Sequence, residues 1–480
     1  MELPSGPILA GTYPDPSIQR VDGDYYLVTS TMEYFPALPI FHSTDLVSWT
    51  QVGHVIDRID QLDLATVPSS GGLFAPTIRW AKGIWYVVCT LVHGEGRQGN
   101  FLVTSERPTG PWSDPIWLDD APGIDPSLFF DDDGRAWFTG THLVEEPEWP
   151  SQTVVWMQEF DLRSLRLVGP TYDLWHGALK GAVWAEGPHI YRRNGWYYLL
   201  ASEGGTEFNH AISVARSRSV TGPYQGCAAN PVFSHRHLGR RHPVTNVGHA
   251  DLVETPEGEW VAMLLAARPY GGYHTNLGRE TFAVEVEWEE DWPVFAPGIG
   301  QVLAADPAPK AAPRIPDTLA WNQIRNARAL GAVIDVAAAT VAFPPDPTPL
   351  SAIGTPSFCG VRQQHSCAEF TATIPLIDGA GIAARQSEDA YLLALRDHGV
   401  VRVWRSGELI GELPSGSGPI TLRADGQNYT VACGGHRIVA DGRYLSSEVA
   451  GGFLGVWFGL VALGNSGQPV VFQDVSYGGE

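Results

Sequence analysis

Three carboxylic acids stand in similar short strings that are far apart in the chain. Asp15 lies in YPDPSI, Asp125 in IDPSLF and Glu186 in AEGPHI. When carboxylates share a cavity of low dielectric, burial and mutual repulsion separate their pKa values. One acid can then stay protonated near neutral pH while another stays ionised. The set therefore predicts a proton donor and a proton acceptor, the pair that hydrolysis of a glycosidic bond requires.

The element that must position these acids is a repeated β-hairpin. Five segments share a glycine turn followed by aromatic and β-branched residues: DGDYYLVTS, KGIWYVVCT, DGRAWFTGT, NGWYYLLAS and EGEWVAMLL. Their turn glycines are spaced by 60, 51, 61 and 63 residues. This period accommodates one four-stranded antiparallel sheet, whereas a β-sandwich has turns about every 8 to 12 residues without a longer period. We therefore predict a five-bladed β-propeller.

The strand before each hairpin supplies the candidate site. Counting back nine residues from the turn glycine, or eight from Gly23, gives one position in each period. These positions are Asp15, Phe74, Asp125, Glu186 and His249. Because the first strand of a propeller blade lies nearest the axis, we expect the five side chains to surround one cavity.

Each member of this ring has a simpler interpretation when it is taken alone. Asp before Pro is common in turns, Glu186 could be a salt-bridge partner, and His249 could be a hydrogen-bonded core residue. The shared register across five periods favours a functional site instead. The alternative for the whole ring is a Ca²⁺ site near the axis at His249, with the carboxylates as further ligands. The acid–base chemistry itself requires no cofactor, and no other metal site is predicted.

The composition excludes several classes of partner. The 53 Asp and Glu residues outnumber the 31 Lys and Arg, and the net charge of -22 repels nucleic acid and anionic membranes. The first residues lack the basic and apolar regions of a secretory leader, and the five cysteines have neither zinc-site nor disulfide spacing. We expect a cytoplasmic protein, although a trimmed leader would leave the same sequence and secretion stays open. A homo-oligomer is compatible with these features.

The chain divides at a Pro- and Ala-rich stretch. Residues 1–303 contain the five periods, and residues 304–317, AADPAPKAAPRIPD, are predicted to form an extended linker. Residues 318–480 contain alternating strings such as YLLALRD and VVRVWRS, which predict a C-terminal β-sandwich. We find no catalytic set in this second domain, so the fold class is all-β with one catalytic propeller.

Longer strings extend the pattern to a known family. They include GTYPDPSIQRVDGDYYLVTS, GIDPSLFFDDDG, AEGPHIYRRNGWYYLLASEGGTEFNHAISVARS, NVGHADLVETPEGEW and LGRETFAVEVEWEEDWP. In these strings the sequence resembles glycoside hydrolase family 43, specifically its two-domain β-xylosidase-like branch, over nearly all of residues 1–300. The resemblance implies an inverting, exo-acting enzyme that releases terminal pentose units from oligosaccharides in one step, with Asp15 as the general base and Glu186 as the general acid. It also implies that Asp125 orients Glu186 and raises its pKa.

The resemblance further implies which residues surround the terminal sugar. These are Phe35, Ala75, Thr206, His249 and Arg279. Two positions depart from the family pattern, because Met32 stands where Phe is usual and Phe74 where Trp is usual. Both belong to walls of the sugar pocket, and the aromatic residue that relatives contribute from the sandwich has no match here. We therefore expect β-D-xylose as the released sugar, with α-L-arabinofuranose as the main alternative and a non-catalytic glycan-binding propeller as the alternative from another class.

Overall fold

The chain is almost entirely β-structure. A computed structural model describes residues 2–304, 310–325, 331–416 and 418–480. Its first part forms five antiparallel sheets of four strands each, arranged as the blades of a propeller. Its second part forms two larger sheets that pack face to face. None of the helices among the described residues is long and apolar enough to cross a membrane.

The propeller strands follow one another blade by blade. Blade one contains β1 (Ser17–Val21), β2 (Asp24–Val28), β4 (Ala37–Ser43) and β5 (Thr50–Ile56), and the short β3 (Tyr34–Phe35) lies between β2 and β4 in the chain. Blade two contains β6 (Gly72–Ala81), β7 (Ile84–Val92), β8 (Gly99–Ser105) and β9 (Ile116–Trp117). Blade three contains β10 (Ile124–Phe130), β11 (Ala136–Leu143), β12 (Thr153–Asp161) and β13 (Arg166–Trp175). Blade four contains β14 (Glu186–Arg193), β15 (Trp196–Glu203), β16 (Ala211–Ser217) and β17 (Gln225–Gly226). Blade five contains β18 (Thr245–Glu254), β19 (Trp260–Ala267), β20 (Glu280–Glu289) and β21 (Trp292–Phe295).

The sandwich contains the remaining strands and most of the short helices. Its strands are β22 (Ala311–Arg314), β23 (Asn322–Ile324), β24 (Val333–Asp335), β25 (Thr340–Phe343), β26 (Phe358–Arg362), β27 (Cys367–Thr373), β28 (Ala380–Arg385), β29 (Tyr391–Asp397), β30 (Val400–Arg405), β31 (Glu408–Pro414), β32 (Ile420–Asp425), β33 (Asn428–Cys433), β34 (His436–Asp441), β35 (Trp457–Ala462) and β36 (Val470–Gly479). The helices are three 3₁₀ turns (Arg236–Leu238, Thr318–Ala320, Gly442–Leu445) and one α-helical turn, α1 (Ser447–Ala450). One sheet has the order β24-β25-β36-β27-β32-β33-β34 with β22 beside β36, and the other has the order β3-β23-β26-β35-β28-β29-β30-β31.

Tight turns produce the hairpins that the sequence predicts. In blade four, Arg193 pairs with Trp196 across a two-residue turn. The turn residues Asn194 and Gly195 have φ values of 51° and 72°, and a type I′ turn requires positive φ at both positions. The repeated segments form β2, β7, β11, β15 and β19, the second strand of every blade. The prediction of an all-β, five-bladed propeller followed by a β-sandwich is confirmed.

Strand β3 connects the two domains directly. It leaves blade one and joins the edge of a sandwich sheet, where Phe35 pairs with Gln323. Tyr34 stacks on Trp457 with 3.9 Å between ring centroids, and the buried Arg385 of the sandwich donates a 2.9 Å hydrogen bond to the Tyr34 hydroxyl. The sandwich is therefore held against the propeller by buried contacts as well as by the connecting chain.

Part of the predicted linker, residues 305–309, lies outside the described residues. The following residues 311–314 form β22, in which Ala311 pairs with Gly479 of β36. The boundaries of the two domains stay a prediction.

A β-bulge marks the innermost strand of the blades. The residues Asp15, Ala75, Asp125, Gly187 and His249 have φ values of 55°, 39°, 56°, 57° and 45°. In blades two to five the pairing with the next strand shifts at this point, which aims the side chains differently from those of a regular strand. These five residues are the structurally equivalent positions.

The predicted register was wrong by one residue in two blades. Phe74 and Glu186 each precede the bulge residue of their blade. The reason is the length of the turn between the first and second strands. In blades three and five this turn has five residues, whereas in blade four it has two. A fixed count from the turn glycine therefore does not reach the same backbone position in every blade.

Candidate active site

The bulges of the five blades face a cavity of about 690 Å³. Nine of the ten side chains proposed from the sequence line it. They are Asp15, Met32, Phe74, Ala75, Asp125, Glu186, Thr206, His249 and Arg279. The three carboxylates thus come into one chamber from blades one, three and four, although 171 positions separate the first from the last in the numbering.

Phe35 is the exception, and its expected sugar contact is not supported by its position. Because β3 is held in the sandwich sheet by Gln323, the Phe35 ring packs into the hydrophobic core shared by blades one and two. The ring is 4% exposed and is not among the described residues that line the cavity.

Asp15 is held as a carboxylate. The Ser30 hydroxyl donates a 2.7 Å hydrogen bond to one of its oxygens, and the Arg279 guanidinium donates a 3.1 Å hydrogen bond to the other. Burial raises the pKa of Asp15, but Arg279, His249 and the Ser30 hydrogen bond outweigh that effect and leave the pKa below its usual value. Asp15 is therefore equipped to accept a proton.

Arg279 links Asp15 to the rest of the cavity wall. Besides contacting Asp15, it donates a 2.7 Å hydrogen bond to the Thr206 hydroxyl. Its guanidinium carbon lies 5.5 Å from the centroid of the Phe453 ring. One side chain therefore orients the base and supports two further residues of the wall.

Glu186 has the opposite electrostatic environment. Burial raises its pKa well above the usual value, and the nearby charges of Asp125 and Asp15 raise it further. No hydrogen-bond donor to its carboxyl is found in the described part of the chain. The Glu186 carboxyl therefore keeps its proton to a higher pH than an ordinary glutamate and is equipped to donate it.

Asp125 lies between these two extremes. Burial raises its pKa to about 6, with His249 lowering it and Asp15 raising it. The backbone N–H of Gly187 donates a 3.0 Å hydrogen bond to the Asp125 carboxylate. Asp125 thereby contacts the residue next to Glu186 and adds negative charge beside the Glu186 carboxyl.

Gly187 provides the space that the His249 ring occupies. A Cβ atom on Gly187 would lie 3.0 Å from two atoms of that ring, and the φ of Gly187 is +57°. The backbone N–H of His249 donates a 2.6 Å hydrogen bond to the Ser202 hydroxyl. The glycine after Glu186 thus lets blades four and five approach closely at the cavity floor.

A calcium ion at His249 stays a prediction. Calcium prefers six to eight oxygen ligands. The cavity offers carboxylate oxygens from Asp15 and Asp125, yet among the described residues His249 belongs to no group of three His, Cys, Asp or Glu side chains close enough to share an ion. The residues present therefore do not form a calcium cage without further ligands.

A buried network, here called the axial network, lies beneath the cavity. Asp251 accepts hydrogen bonds from the Tyr191 hydroxyl (2.6 Å), the Ser17 hydroxyl (2.8 Å) and both terminal nitrogens of Arg79 (2.8 and 3.1 Å). The Arg79 guanidinium also contacts His189 at 3.0 Å. These residues lie two or four positions after the positive-φ residues of blades one, two, four and five. Because alternate side chains of a strand share one face, they also point toward the axis, in the layer next to the cavity.

The sandwich contributes an aromatic wall to the cavity that the sequence did not predict. Phe453 lines the cavity, and its ring lies 6.2 Å from that of Phe74 in an edge-to-face arrangement. Its backbone N–H donates a 2.8 Å hydrogen bond to the Ser70 hydroxyl. Nothing in the propeller repeat predicts that a loop of the other domain reaches the cavity. Among the neighbouring residues, the glycine pair Gly451 and Gly452, both with positive φ, indicates a tight turn just before Phe453.

Comparisons with known proteins agree with this architecture. The family model for glycosyl hydrolases family 43 matches residues 4–293. The model for the beta xylosidase C-terminal Concanavalin A-like domain matches residues 346–478. The two matches correspond to the propeller and to most of the sandwich.

Individual relatives carry two kinds of name. A xylosidase/arabinosidase of Butyrivibrio fibrisolvens is 50% identical over 63% of this chain, a match that covers 58% of that protein and thus less than two thirds of its length. A non-reducing end alpha-L-arabinofuranosidase of Bacteroides ovatus is 34% identical over 96% of this chain and 91% of its own. The crystal structure of a xylan beta-1,4-xylosidase from Bacillus halodurans superposes with a TM-score of 0.85 at 28% identity, covering 98% of this chain and 99% of that one.

Proposed function

The chain belongs to glycosyl hydrolases family 43, and on that premise we propose that it is an exo-acting, inverting glycosidase that releases a terminal pentose from oligosaccharides. The observation that carries the proposal is the opposite pKa shift of two carboxyl groups in one cavity. Burial and like charges raise the pKa of Glu186, whereas Arg279 and Ser30 hold that of Asp15 down. One cavity therefore offers a proton donor and a proton acceptor at the same pH.

Glu186 acts as the general acid in this proposal. Its carboxyl proton passes to the glycosidic oxygen while the bond between that oxygen and the anomeric carbon breaks. The leaving sugar departs as a neutral alcohol, and Glu186 is left as a carboxylate.

Asp15 acts as the general base on the opposite face of the sugar. It takes a proton from a water molecule whose oxygen forms the new bond to the anomeric carbon, so the configuration inverts in a single step. Arg279 and Ser30 hold the Asp15 carboxylate in place for this task. Solvent then restores the proton to Glu186 and removes the one on Asp15.

Asp125 supports the acid without contacting the departing bond. Its negative charge raises the pKa of Glu186, and its hydrogen bond to the Gly187 N–H restrains the backbone next to the acid. Asp125 is therefore a positioning residue that keeps Glu186 protonated.

β-D-Xylose is the first candidate for the released sugar, and α-L-arabinofuranose is the second. The second is favoured by the match along 96% of the chain to a protein named as an arabinofuranosidase. Apolar walls such as Phe74, Met32 and Phe453 separate similar sugars by only about 1 to 3 kcal/mol. We therefore expect activity on both pentosides, with unequal kcat/KM.

The test is a panel of β-xylosides and α-L-arabinofuranosides followed by proton NMR, which reports the released sugar and its first-formed anomer together. The proposal expects the inverted anomer from one or both pentosides. Formation of the retained anomer would refute the mechanism. Absence of turnover on every pentoside, together with measurable sugar binding, would favour the non-catalytic propeller.

The acid assignment has a matched control in the same cavity. Glu186→Gln is expected to slow unactivated oligosaccharides far more than nitrophenyl glycosides, because a good leaving group needs no proton. Glu207→Gln changes an exposed glutamate that also lines the cavity and should affect both substrates little. Equal losses for both substrates in Glu186→Gln would contradict its role.

A further inference from the structure

A second surface lies beside the cavity, on loops of blades four and five. Three loops meet there, residues 204–210, 227–244 and 268–279. The first carries Thr206 and the last carries Arg279, and both side chains line the cavity. The middle loop leads into β18, whose bulge residue also faces the cavity. All three loops therefore lie at the cavity end of their blades.

Three side chains from these loops pack together, and we call them the rim patch: Phe208, Arg240 and Tyr273. The two rings meet edge to face with 5.9 Å between centroids. The guanidinium carbon of Arg240 lies 4.9 Å from the Phe208 centroid and 5.1 Å from that of Tyr273. The Tyr273 hydroxyl donates a 2.8 Å hydrogen bond to Asn246, which fixes one wall of the patch.

Arg240 lies on a positively charged loop, since residues 227–244 contain three arginines and no Asp or Glu. Arg240 and its neighbour Arg241 are exposed, and neither has a carboxylate within 4.0 Å among the described residues. Two acids, Glu207 and Glu448, lie near Tyr273 but do not pair with Arg240. Glu207 is exposed, and Glu448 accepts two 2.8 Å hydrogen bonds from Thr275. In a chain with a net charge of -22, this is a local cationic site beside the cavity.

We propose that the rim patch binds a carboxylate-bearing sugar on the leaving-group side of the substrate, so that the protein prefers acidic oligosaccharides over neutral ones of equal length. The inference rests on the proposed function, in which the terminal sugar occupies the cavity and the rest of the oligosaccharide passes over its rim. The planar guanidinium of Arg240 matches a carboxylate with two parallel hydrogen bonds. The rings of Phe208 and Tyr273 pack against the guanidinium and hold it in place at the rim.

The test compares two oligosaccharides of equal length with the same terminal pentose, one neutral and one carrying a single hexuronate in the leaving group. Arg240→Ala is expected to lower kcat/KM for the acidic substrate about tenfold, mostly through KM, which corresponds to about 1.4 kcal/mol. The neutral substrate should change by less than about twofold. Arg240→Lys should restore only part of the loss, because an ammonium cannot form the paired hydrogen bonds.

Arg218→Ala is the matched control, since Arg218 is also exposed and packs over an aromatic ring, at 3.5 Å from the centroid of Trp196. It lies at the Asn194–Gly195 turn, at the end of blade four away from the cavity. It should leave both substrates unchanged. If Arg240→Ala behaves like Arg218→Ala, or weakens both substrates equally, the proposed acidic subsite is wrong. Normal cleavage of the neutral substrate would leave the proposed function standing in either case.

Calorimetry separates the two proposals if no pentoside is cleaved. In that case the proposed function has failed, and binding of the hexuronate oligosaccharide to the unmodified protein and to Arg240→Ala still tests the patch. Weaker binding by Arg240→Ala, with the neutral oligosaccharide unaffected, supports the acidic subsite. Equal binding of the acidic oligosaccharide by both proteins overturns it.

Discussion

Asp251→Asn is expected to destabilise the propeller strongly, because it breaks the axial network under the cavity. Asp251 is fully buried and accepts hydrogen bonds from Ser17, Tyr191 and Arg79, as well as from the backbone N–H of Ile18 at 3.0 Å. An asparagine keeps one acceptor oxygen, but its amide group would face donors and leave the Arg79 charge uncompensated in the interior.

The magnitude follows from the burial of this pair. The Arg79 side chain is 12% exposed and that of Asp251 is 0% exposed. Removing one partner of a buried ion pair costs about 3 to 5 kcal/mol, which is a large part of the roughly 5 to 15 kcal/mol that stabilises a typical domain. For a domain of this size, we expect Tm to fall by roughly 6 to 20 °C.

Urea unfolding and thermal unfolding of the full chain measure this loss. Tyr191→Phe removes the hydrogen bond to the Asp251 carboxylate and the one that the hydroxyl accepts from the Leu252 N–H, and should cost about 1.5 to 3 kcal/mol. Asp133→Asn is the surface control, because Asp133 pairs with Arg135 in solvent. It should leave the urea midpoint close to that of the unmodified protein. The reasoning is refuted if Asp251→Asn is no less stable than Asp133→Asn.

The pH dependence of the loss gives an independent check. Burial raises the pKa of Asp251, but Arg79 and His189 outweigh it and hold the pKa well below its usual range. A group whose pKa is depressed by folding contributes stability above its unfolded pKa and loses it as pH falls through the folded value. The stability difference between the unmodified protein and Asp251→Asn should therefore be constant from about pH 5 upward and shrink in strong acid.

Three further predictions concern the cavity. Asp15→Ala should lower kcat by at least about 10²- to 10⁴-fold with an unchanged circular dichroism spectrum, because the attacking water loses its base; ordinary activity in this variant would overturn the role of Asp15. Asp125→Asn should move the alkaline limb of the kcat–pH profile to lower pH, because Glu186 works when protonated and removing a like charge lowers its pKa; a limb that stays in place would show that Asp125 does not act through Glu186. Phe453→Ala should raise KM for pentosides about tenfold by removing an aromatic wall, and Ser70→Ala should have a smaller effect in the same direction because it loosens the Phe453 backbone; unchanged KM in Phe453→Ala would place the sugar elsewhere.

The propeller was predictable because its signals are local. A two-residue turn such as Asn194–Gly195 requires positive φ, and the aromatic strand that follows repeats with it. The cavity residues followed from the same repeat, since Asp15 and Asp125 each have positive φ and are each followed by proline. What a local pattern could not supply was the exact register, because the turns after β10 and β18 are longer than the others.

The contacts between domains were beyond this kind of inference. Phe35 was expected to contact the sugar. Instead, its backbone pairs with Gln323, in a strand outside the repeat, and its ring packs into the core. Phe453 was not found because its place in the cavity depends on a hydrogen bond to Ser70, more than 380 positions earlier. Such pairings depend on the docking of two domains, which the alternation of apolar and polar residues does not encode.

The opposite pKa shifts of Asp15 and Glu186 likewise arise from residues that are distant in the chain. Both are carboxyl groups beside the same cavity, and burial raises the pKa of each. Asp15 accepts a hydrogen bond from Arg279, which reaches it from blade five and is the largest of the influences that outweigh burial there. Arg279 also lowers the pKa of Glu186, but burial and the two like charges of Asp125 and Asp15 outweigh it there. The hydrogen bonds of Arg279 to Asp15 and to Thr206 hold the cation beside the base. Acid–base catalysis depends on the difference between the two pKa values, and that difference is set by the charges that the blades bring beside each carboxyl.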